Sequence, residues 1–165
     1  MGWPCTSTTS STEAVLEASP AEIIAAYAVE MAGRSSWWLP YLRARVRDQV
    51  EFPQVGAVLD VKVSTRPGGI DRRDATKLTT RVTAYEPGRR VVEAMDGPFR
   101  GEQEITLIPV DESHTRISER WRANPAGMWR LVMRFFDVEA RHSTVEQAGF
   151  KAMGEYIATK RTASA

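Results

Sequence analysis

Apolar residues alternate with polar ones over most of the first three-quarters of the chain, and this period of two predicts strands. The predicted strands are Glu13–Ala18, Arg43–Phe52, Ala57–Val63, Ala75–Tyr85, Val91–Met95, Phe99–Ile108 and Thr115–Trp121. Turn sequences such as Pro67-Gly68-Gly69 and Glu86-Pro87-Gly88 separate the last six of them. Consecutive strands joined by tight turns predict an antiparallel meander.

A helix is predicted between the first two strands. Ser19 suits the N-cap because its hydroxyl accepts from free backbone amides, and Pro20 suits the first turn because it lacks an amide. Glu22 stands three residues after Ser19 and completes a capping box. The helix is predicted to run to about Met31 and to end at Gly33.

A second, longer helix is predicted at the C-terminal end, where the period changes from two to about 3.6. Asn124-Pro125 supplies a cap and a first turn. A mostly apolar stripe that includes His142 then recurs at steps of four and three, at Leu131, Phe135, Val138, His142, Val145, Gly149, Ala152 and Tyr156. At about 1.5 Å per residue this helix reaches roughly 45 Å, enough to cross a small sheet.

The order of these elements predicts an α+β fold with one concave interior. A seven-stranded antiparallel sheet curls through its own twist, and the last helix is the predicted element that is long enough to cover its concave face. A curved sheet closed by a helix leaves an apolar space of the kind that binds small ligands. A short aromatic segment, Ser35–Leu42, precedes the meander.

Composition is consistent with one globular domain and excludes several classes of partner. The chain has 165 residues, of which 42% are hydrophobic and 26% charged, and a domain usually takes roughly 100–200 residues. Its 22 Lys+Arg and 21 Asp+Glu leave a net charge of +1, so the overall charge gives no argument for nucleic acid or an anionic membrane as partner, although a local basic patch stays open, and we expect no nucleic-acid partner. No apolar run approaches the roughly 18 residues of a membrane span.

The domain is predicted to cover residues 12–158. The polar, low-complexity stretch at its start predicts a disordered leader over residues 1–11, and residues 159–165 are predicted to form a flexible tail. The single cysteine, Cys5, cannot form an internal disulfide, and no signal peptide precedes the domain. We therefore expect a cytoplasmic protein.

Several segments carry a resemblance to a known family. They are Ala18–Glu22, Trp37–Pro40, Tyr85–Val91, Gly97–Gly101 and His114–Ile117. Through them the chain resembles the START-like superfamily with the helix-grip fold, and within it the polyketide cyclase/dehydrase-like bacterial branch, over about residues 12–158. The resemblance implies a curved seven-stranded antiparallel sheet wrapped around a long C-terminal helix. It does not fix the function, because members include aromatase/cyclases, lipid carriers, hormone receptors and chaperone-interacting domains.

The resemblance also implies where a ligand would bind: on the inner sheet face, on the helix stripe and at the mouth of the cavity. The candidate ligand-binding residues are Trp37, Trp38, Tyr41, Leu59, Val61, Leu78, Phe99, Gln103, Trp121, Phe135, Val138 and Val145. For the aromatic residues Trp37, Trp38 and Tyr41 a second interpretation stays open, namely that they plug the end of the domain.

Two residues are candidates for acid–base catalysis. His142 stands in the apolar stripe of the last helix with Glu139 and Glu146 one turn to either side, which suits a general acid or base. Glu119 is predicted to face inward, where a carboxylate must be paired, protonated or hydrated. The alternatives are a core histidine, and for Glu119 a strand register that differs by one or a wet strand end.

The remaining motifs argue against a cofactor or a metal. The chain has no glycine-rich phosphate loop and no dinucleotide fingerprint, and neither His114 nor His142 is accompanied by ligating residues at the usual spacing. We therefore expect no cofactor and no metal. The basic loop with Arg66, Arg72 and Arg73 could meet an acidic acyl carrier protein, or could simply be solvated.

The expected function is to bind a hydrophobic or aromatic small molecule, or a polyketide intermediate, in an internal cavity. A polyketide cyclase/aromatase-like protein is the leading hypothesis, because a shaped cavity accelerates cyclisation by orienting the chain. The alternatives are a non-catalytic carrier or sensor for a lipid or hydrophobic metabolite, and a co-chaperone-like interaction module.

Overall fold

A curled sheet and a long helix form the architecture in the computed structural model, which describes residues 7–66, 69–73, 75–132 and 135–164. The elements are β1 (Thr8–Leu16), α1 (Pro20–Met31), β2 (Leu42–Val46), β3 (Val58–Val63), β4 (Thr76–Glu86), β5 (Arg90–Asp96), β6 (Phe99–Pro109), β7 (Thr115–Pro125), α2 (Trp129–Val132) and α3 (Val138–Ser164), with a 3-10 turn at Gly69–Asp71.

The sheet has seven strands in the order β1-β7-β6-β5-β4-β3-β2, and every neighbouring pair is antiparallel. The predicted meander is confirmed. The first strand returns to the last, with Leu16 opposite Thr115 and Thr8 opposite Ala123. Because β1 and β2 are therefore the two edges, the connection that contains α1 spans the width of the sheet.

Helix α1 begins and ends where the sequence predicts. The Ser19 amide donates to Glu22 Oε2 at 2.8 Å, and the Glu22 amide donates to Ser19 Oγ at 3.3 Å, which completes the capping box. Beyond the C-terminus of α1, Gly33 takes a φ of +71°, a conformation that glycine adopts without strain. Arg161 on α3 donates to Glu22 Oε1 at 2.7 Å and ties the two helices together.

The predicted start of the long helix is wrong. Strand β7 continues to Pro125, which lies opposite Phe99, and α3 begins only at Val138. Proline is tolerated both at a strand end and at a helix start, because neither position needs a backbone N–H as a hydrogen-bond donor. The N-cap is Asp137, whose Oδ1 accepts from the Ala140 amide at 2.9 Å. The 27 residues of α3 span about 40 Å.

Because α3 begins only at Val138, the predicted position of Phe135 on the stripe of the long helix is wrong. This residue lies between α2 and α3 and is 78% exposed, so it is not on the buried helix stripe. Leu131 lies on the short helix α2 and is exposed as well. The apparent periodicity of the sequence ran through a segment that is not a continuous helix.

Three other boundaries differ from the predictions. Strand β2 ends at Val46, so Val50 is exposed, and Phe52 returns to the core, where its ring lies edge-on to Tyr27 at 5.1 Å. Residues 8–11 of the predicted leader belong to β1, because they pair with β7. Residues 159–164 of the predicted tail continue α3. Residues 1–6, with Cys5, and residue 165 lie outside the described residues.

The main core lies between the second half of α3, α1 and the concave face of the sheet. Phe150, Met153 and Ile157 of α3 are buried there together with Ile23 and Ile117. A smaller cluster of Met95, Phe99, Trp121 and Ala123 lies at the other end of the sheet. Within the described ranges, no helix combines the length and the apolar character that a membrane crossing needs.

Candidate functional site

A cavity of about 290 Å³ lies between the first turns of α3 and the concave face of the sheet. Its wall is mostly apolar or aromatic. From the sheet and helices it takes Tyr27, Met31, Leu42, Val61, Val63, Leu78, Thr80, Glu93, Met95, Phe99, Gln103, Trp121, Trp129, Phe136, Val138, Arg141, His142, Val145 and Glu146. Ser64, Thr65, Arg66, Arg72, Ala75 and Thr76 complete the wall near the connection between β3 and β4.

Many of the sequence-predicted residues do lie in this wall: Val61, Leu78, Phe99, Gln103, Trp121, Val138, His142 and Val145. The inward register predicted for β7 is confirmed, since Ile117 and Glu119 are fully buried. Glu119 lies in the middle of β7, opposite Ile105 on β6 and Thr12 on β1. The alternatives of a shifted register and of a wet strand end are therefore wrong.

Trp38 and its neighbours lie beside the cavity and not in its wall. Trp38 is 2% exposed, and its Nε1 donates to the Val145 carbonyl at 3.2 Å. Trp37 stacks on Trp38 with ring centroids 5.3 Å apart, and Tyr41 packs on the same core. Leu59 is fully buried there too. The aromatic segment thus plugs the packed end of the domain, as the second interpretation proposed, and Phe135 is exposed.

Polar side chains cross the concave face on neighbouring strands, at the boundary between the core and the cavity. We call this set the polar belt; its members are Thr80, Glu93, Gln103, Glu119, His142 and Glu146. Within the belt, Thr80 Oγ1 donates to Glu93 Oε1 at 2.7 Å, and Glu93 lies opposite Gln103. The belt therefore takes its side chains from four adjacent strands and from α3.

On α3, His142 lies close to two carboxyl groups of the belt. Its ring stacks on Trp121 with centroids 4.5 Å apart and an interplanar angle of 20°. Its Nε2 lies 3.7 Å from Glu119 Oε1 and 3.9 Å from Glu146 Oε1. Both distances exceed a hydrogen bond. His142 thus contacts two carboxyl groups while its side chain, 16% exposed, reaches the cavity.

Burial shifts every titratable group in the belt toward its neutral form. It raises the pKa of Glu93 to about 7 and lowers the pKa of His142 to about 4. Burial, together with the neighbouring carboxyl groups, also raises the pKa values of Glu119 and Glu146 well above the usual range for glutamate. The cluster is therefore largely uncharged near neutral pH.

Several buried polar atoms of the belt have no hydrogen-bond partner among the described residues. They are both carboxyl oxygens of Glu119, Oε2 of Glu146 and Nδ1 of His142. Buried polar atoms in proteins are nearly always paired, and an unpaired one costs about 1–3 kcal/mol. Such a cluster suits a partner that brings its own charge or hydrogen-bonding groups.

The sequence did not single out Glu93, Thr80 or Met95, although a signal existed for them. Val91, Glu93 and Met95 alternate on one strand, so an inward Val91 places Glu93 inward as well. Glu146 was noted only as a neighbour of His142. The sequence spacing also did not reveal that ligating atoms of Glu119, His142 and Glu146 lie within 4.8 Å of one another in the folded chain.

Basic residues line the mouth. Arg66 and Arg72 from the predicted basic loop contribute to the wall, whereas Arg73 is exposed to solvent. The guanidinium of Arg141 lies 4.7 Å from the centroid of the Phe136 ring, within the range of a cation–π contact. Pro67 and Gly68 of the loop lie outside the described residues.

The curled seven-stranded antiparallel sheet and its long C-terminal helix form a helix-grip fold, similar to that of a solved START superfamily protein. The fold class predicted from the sequence is confirmed. No family model matches the chain, and no curated protein matches it by sequence.

Solved structures match nearly the whole chain. A START superfamily protein from Mycobacterium smegmatis superposes with a TM-score of 0.66 at 13% identity, covering 92% of this chain and 97% of that one. Norcoclaurine synthase from Thalictrum gives 0.65 at 11%, covering 94% and 97%. The Zhui aromatase/cyclase from Streptomyces sp. R1128 gives 0.56 at 12%, covering 87% and 94%. At these identities the likeness shows the fold alone.

Proposed function

We propose that this chain binds a hydrophobic or aromatic small molecule in the cavity between α3 and the sheet. The observation that carries the proposal is the cavity itself, about 290 Å³ in volume, with aromatic and aliphatic walls and a polar belt along one side. Ligand sites are typically concave and mostly apolar, with a few polar groups that fix orientation. The volume suits a compact ligand of about two rings, since a cavity of about 150 Å³ accommodates benzene.

The finer proposal is a polyketide cyclase/aromatase-like reaction. His142 lies in the cavity wall, and the stack on Trp121 fixes the plane of its imidazole. An imidazole so placed can take a proton from the carbon between two carbonyl groups of a bound poly-β-ketone, and can later return a proton to a hydroxyl that leaves as water. The likeness to an aromatase/cyclase supports this class of reaction.

Glu119 has a different part in this proposal. It does not line the cavity but faces His142 from the sheet side, 3.7 Å from Nε2. We therefore propose Glu119 as a positioning residue that orients His142, and His142 as the catalytic residue. If the substrate arrives on an acyl carrier protein, Arg66 and Arg141 at the mouth are the groups that an acidic carrier surface would meet.

The binding proposal is tested with a matched pair of variants on α3. Val138 lies in the cavity wall, whereas Ala140, two residues further along, is exposed. We expect Val138→Trp to fill the cavity and to weaken the binding of a two-ring probe, 2-naphthol, at least tenfold by calorimetry. Ala140→Trp should leave its affinity unchanged. Equal affinities in both variants would place the binding elsewhere and contradict the proposal.

The catalytic proposal is tested against the alternative of a carrier that uses the same cavity without proton transfer. With a poly-β-ketone substrate, His142→Ala should abolish cyclisation, and Glu119→Gln should lower kcat with little change in KM. Both variants should still bind 2-naphthol. Turnover that both substitutions leave unchanged would exclude the acid–base assignment and would favour a carrier.

A further inference from the structure

We propose that Glu119, His142 and Glu146 form a binding site for a divalent transition-metal cation such as Zn²⁺ at the inner wall of the cavity. The proposed site shares these residues with the proposed function, but it does not require the organic ligand. It therefore stands or falls on its own measurements.

Two elements bring the three side chains together. Strand β7 supplies Glu119, and α3 supplies His142 and Glu146, whose spacing of four residues places both on one face of the helix. His142 Nε2 lies 3.7 Å from Glu119 Oε1 and 3.9 Å from Glu146 Oε1. In a tetrahedral zinc site with bonds of about 2.0–2.1 Å, neighbouring ligand atoms lie roughly 3.3 Å apart. The ligating atoms of all three residues, including the two carboxyl groups, lie within 4.8 Å of one another. Side-chain movements of roughly 0.5–1.5 Å therefore close the site around an ion.

The second observation is that these groups are buried without other partners. Glu119 is 0% exposed, and neither of its carboxyl oxygens has a hydrogen-bond partner among the described residues; Oε2 of Glu146 likewise has none. Within the same part of the chain, no lysine or arginine lies at ion-pair distance from either carboxyl group. Buried carboxylates are found paired or bound to a metal. A divalent cation would bind both carboxyl groups at once and take the place of the protons that otherwise keep them neutral.

The donor set and the position of the site fit a transition metal. Imidazole and carboxylate together suit Zn²⁺ and its first-row neighbours, whereas Ca²⁺ and Mg²⁺ prefer oxygen donors alone. Three protein ligands leave a fourth position open, and in this site it would face the cavity, because His142 and Glu146 both line it. A bound metal there would accept an oxygen donor from the ligand, such as one carbonyl of a β-dicarbonyl, and polarise it.

The environment of His142 sets the expected strength of binding. The ring is held by its stack on Trp121, which leaves Nε2 directed at the two carboxyl groups. Nδ1, however, has no hydrogen-bond partner among the described residues. Metal-bound histidines usually donate their other N–H to such a partner, and losing it weakens binding about 10–100-fold. We therefore expect a weaker affinity than that of structural zinc sites.

The test uses the full chain, freed of metal with a chelator and titrated with ZnCl₂ by calorimetry. Cys5→Ser serves as the background, because a free thiol binds zinc by itself. We expect one equivalent to bind in this background. Glu119→Gln and Glu146→Gln should each weaken binding at least tenfold, whereas Glu102→Gln, an exposed carboxylate on β6, should not. His114→Ala removes the other histidine, which lies exposed beside Asp111, and should bind as the background does.

Substitution of Co²⁺ gives a readout that does not depend on how well the variants fold. Cobalt bound by the unmutated ligands should show the visible absorption of a four- or five-coordinate site, and competition with ZnCl₂ should abolish it. The proposal is overturned if no stoichiometric binding occurs, or if binding survives both glutamine substitutions in folded protein. Binding of 2-naphthol to the chelator-treated chain is measured in parallel. A chain that binds 2-naphthol but no metal would refute this inference and leave the proposed function standing.

Discussion

The two halves of α3 meet the same sheet in different ways. The second half, from Phe150 to Ile157, packs directly on β1, α1 and the sheet, and we call this region the packed half. The first half, from Val138 to Glu146, faces the cavity, and we call this region the cavity half. One continuous helix therefore contributes both to the core and to the wall of the cavity.

The polar belt lies at the border between the two halves. On each of four strands a belt residue lies between an apolar core residue and an apolar cavity residue of the same face, with Gly101 intervening before Phe99 on β6. The sets are Val82, Thr80 and Leu78 on β4; Val91, Glu93 and Met95 on β5; Ile105, Gln103 and Phe99 on β6; and Ile117, Glu119 and Trp121 on β7. Burying polar groups against apolar side chains without hydrogen-bond partners costs free energy. The belt therefore opposes collapse of the cavity onto the core.

The largest expected effect comes from removing a side chain of the packed half. Phe150 is fully buried in the core, and Phe150→Ala should lower the free energy of unfolding by about 3–5 kcal/mol through lost burial and a new cavity. Phe136, which lines the cavity just before the cavity half begins, is 43% exposed, and Phe136→Ala should cost well under half as much. Urea denaturation measures both. Equal losses would mean that the two halves are packed alike.

The second largest effect is on the pH dependence of stability, and it comes from Glu93 in the polar belt. Glu93 ionises near its usual pKa in the unfolded chain but at about 7 in the folded one. The folded state therefore holds the extra proton between these values. Its contribution to stability is complete below pH 4.5 and is lost as the pH rises through 7. The loss is about 3 kcal/mol from a shift of this size.

Groups from several elements face Glu93. Its own contribution to the pH dependence of stability is therefore isolated by substituting Glu93. Thr80 and Tyr27 donate hydrogen bonds to its carboxyl group, and Glu119 and Glu146 face it from β7 and α3. Glu93→Gln should reduce the fall in stability between pH 4.5 and 7 by about 3 kcal/mol and leave the part that Glu119 and Glu146 contribute, while the exposed Glu102→Gln should leave the fall unchanged. An unaltered fall in Glu93→Gln would show that Glu93 ionises normally in the folded protein.

The third effect compares two glycines of α3. A Cβ on Gly149 would collide with the indole of Trp38, so Gly149→Ala should cost about 1–3 kcal/mol by overpacking. A Cβ on Gly154 would lie 3.5 Å from Leu16 Cδ2, an ordinary contact. Gly154→Ala should therefore stabilise the helix by roughly 0.5–1 kcal/mol. Thermal unfolding checks the opposite signs, and two shifts of the same sign would contradict the packing of Trp38 on α3.

The sequence was sufficient to predict the meander, the capped helix α1 and the inward faces of β6 and β7, because each depends on local periodicity or on a short capping motif. It misplaced the start of α3. An asparagine–proline pair fits a strand end as well as a helix cap, and only the pairing of Pro125 with Phe99 decides between them. Likewise, Glu146 joins Glu119 only through the packing of α3 on β7. Contacts of this kind are not encoded in any local pattern.

We propose that the cavity half binds a small molecule while the packed half does not take part. The indole N–H signals of the tryptophans in a ¹H–¹⁵N NMR spectrum test it directly, after assignment by Trp→Phe variants. On titration with 2-naphthol we predict saturable shifts for Trp121 and Trp129, which line the cavity. The signals of Trp37 and Trp38, which pack on the core, should stay in place. Shifts at Trp37 and Trp38 with none at Trp121 would contradict the account.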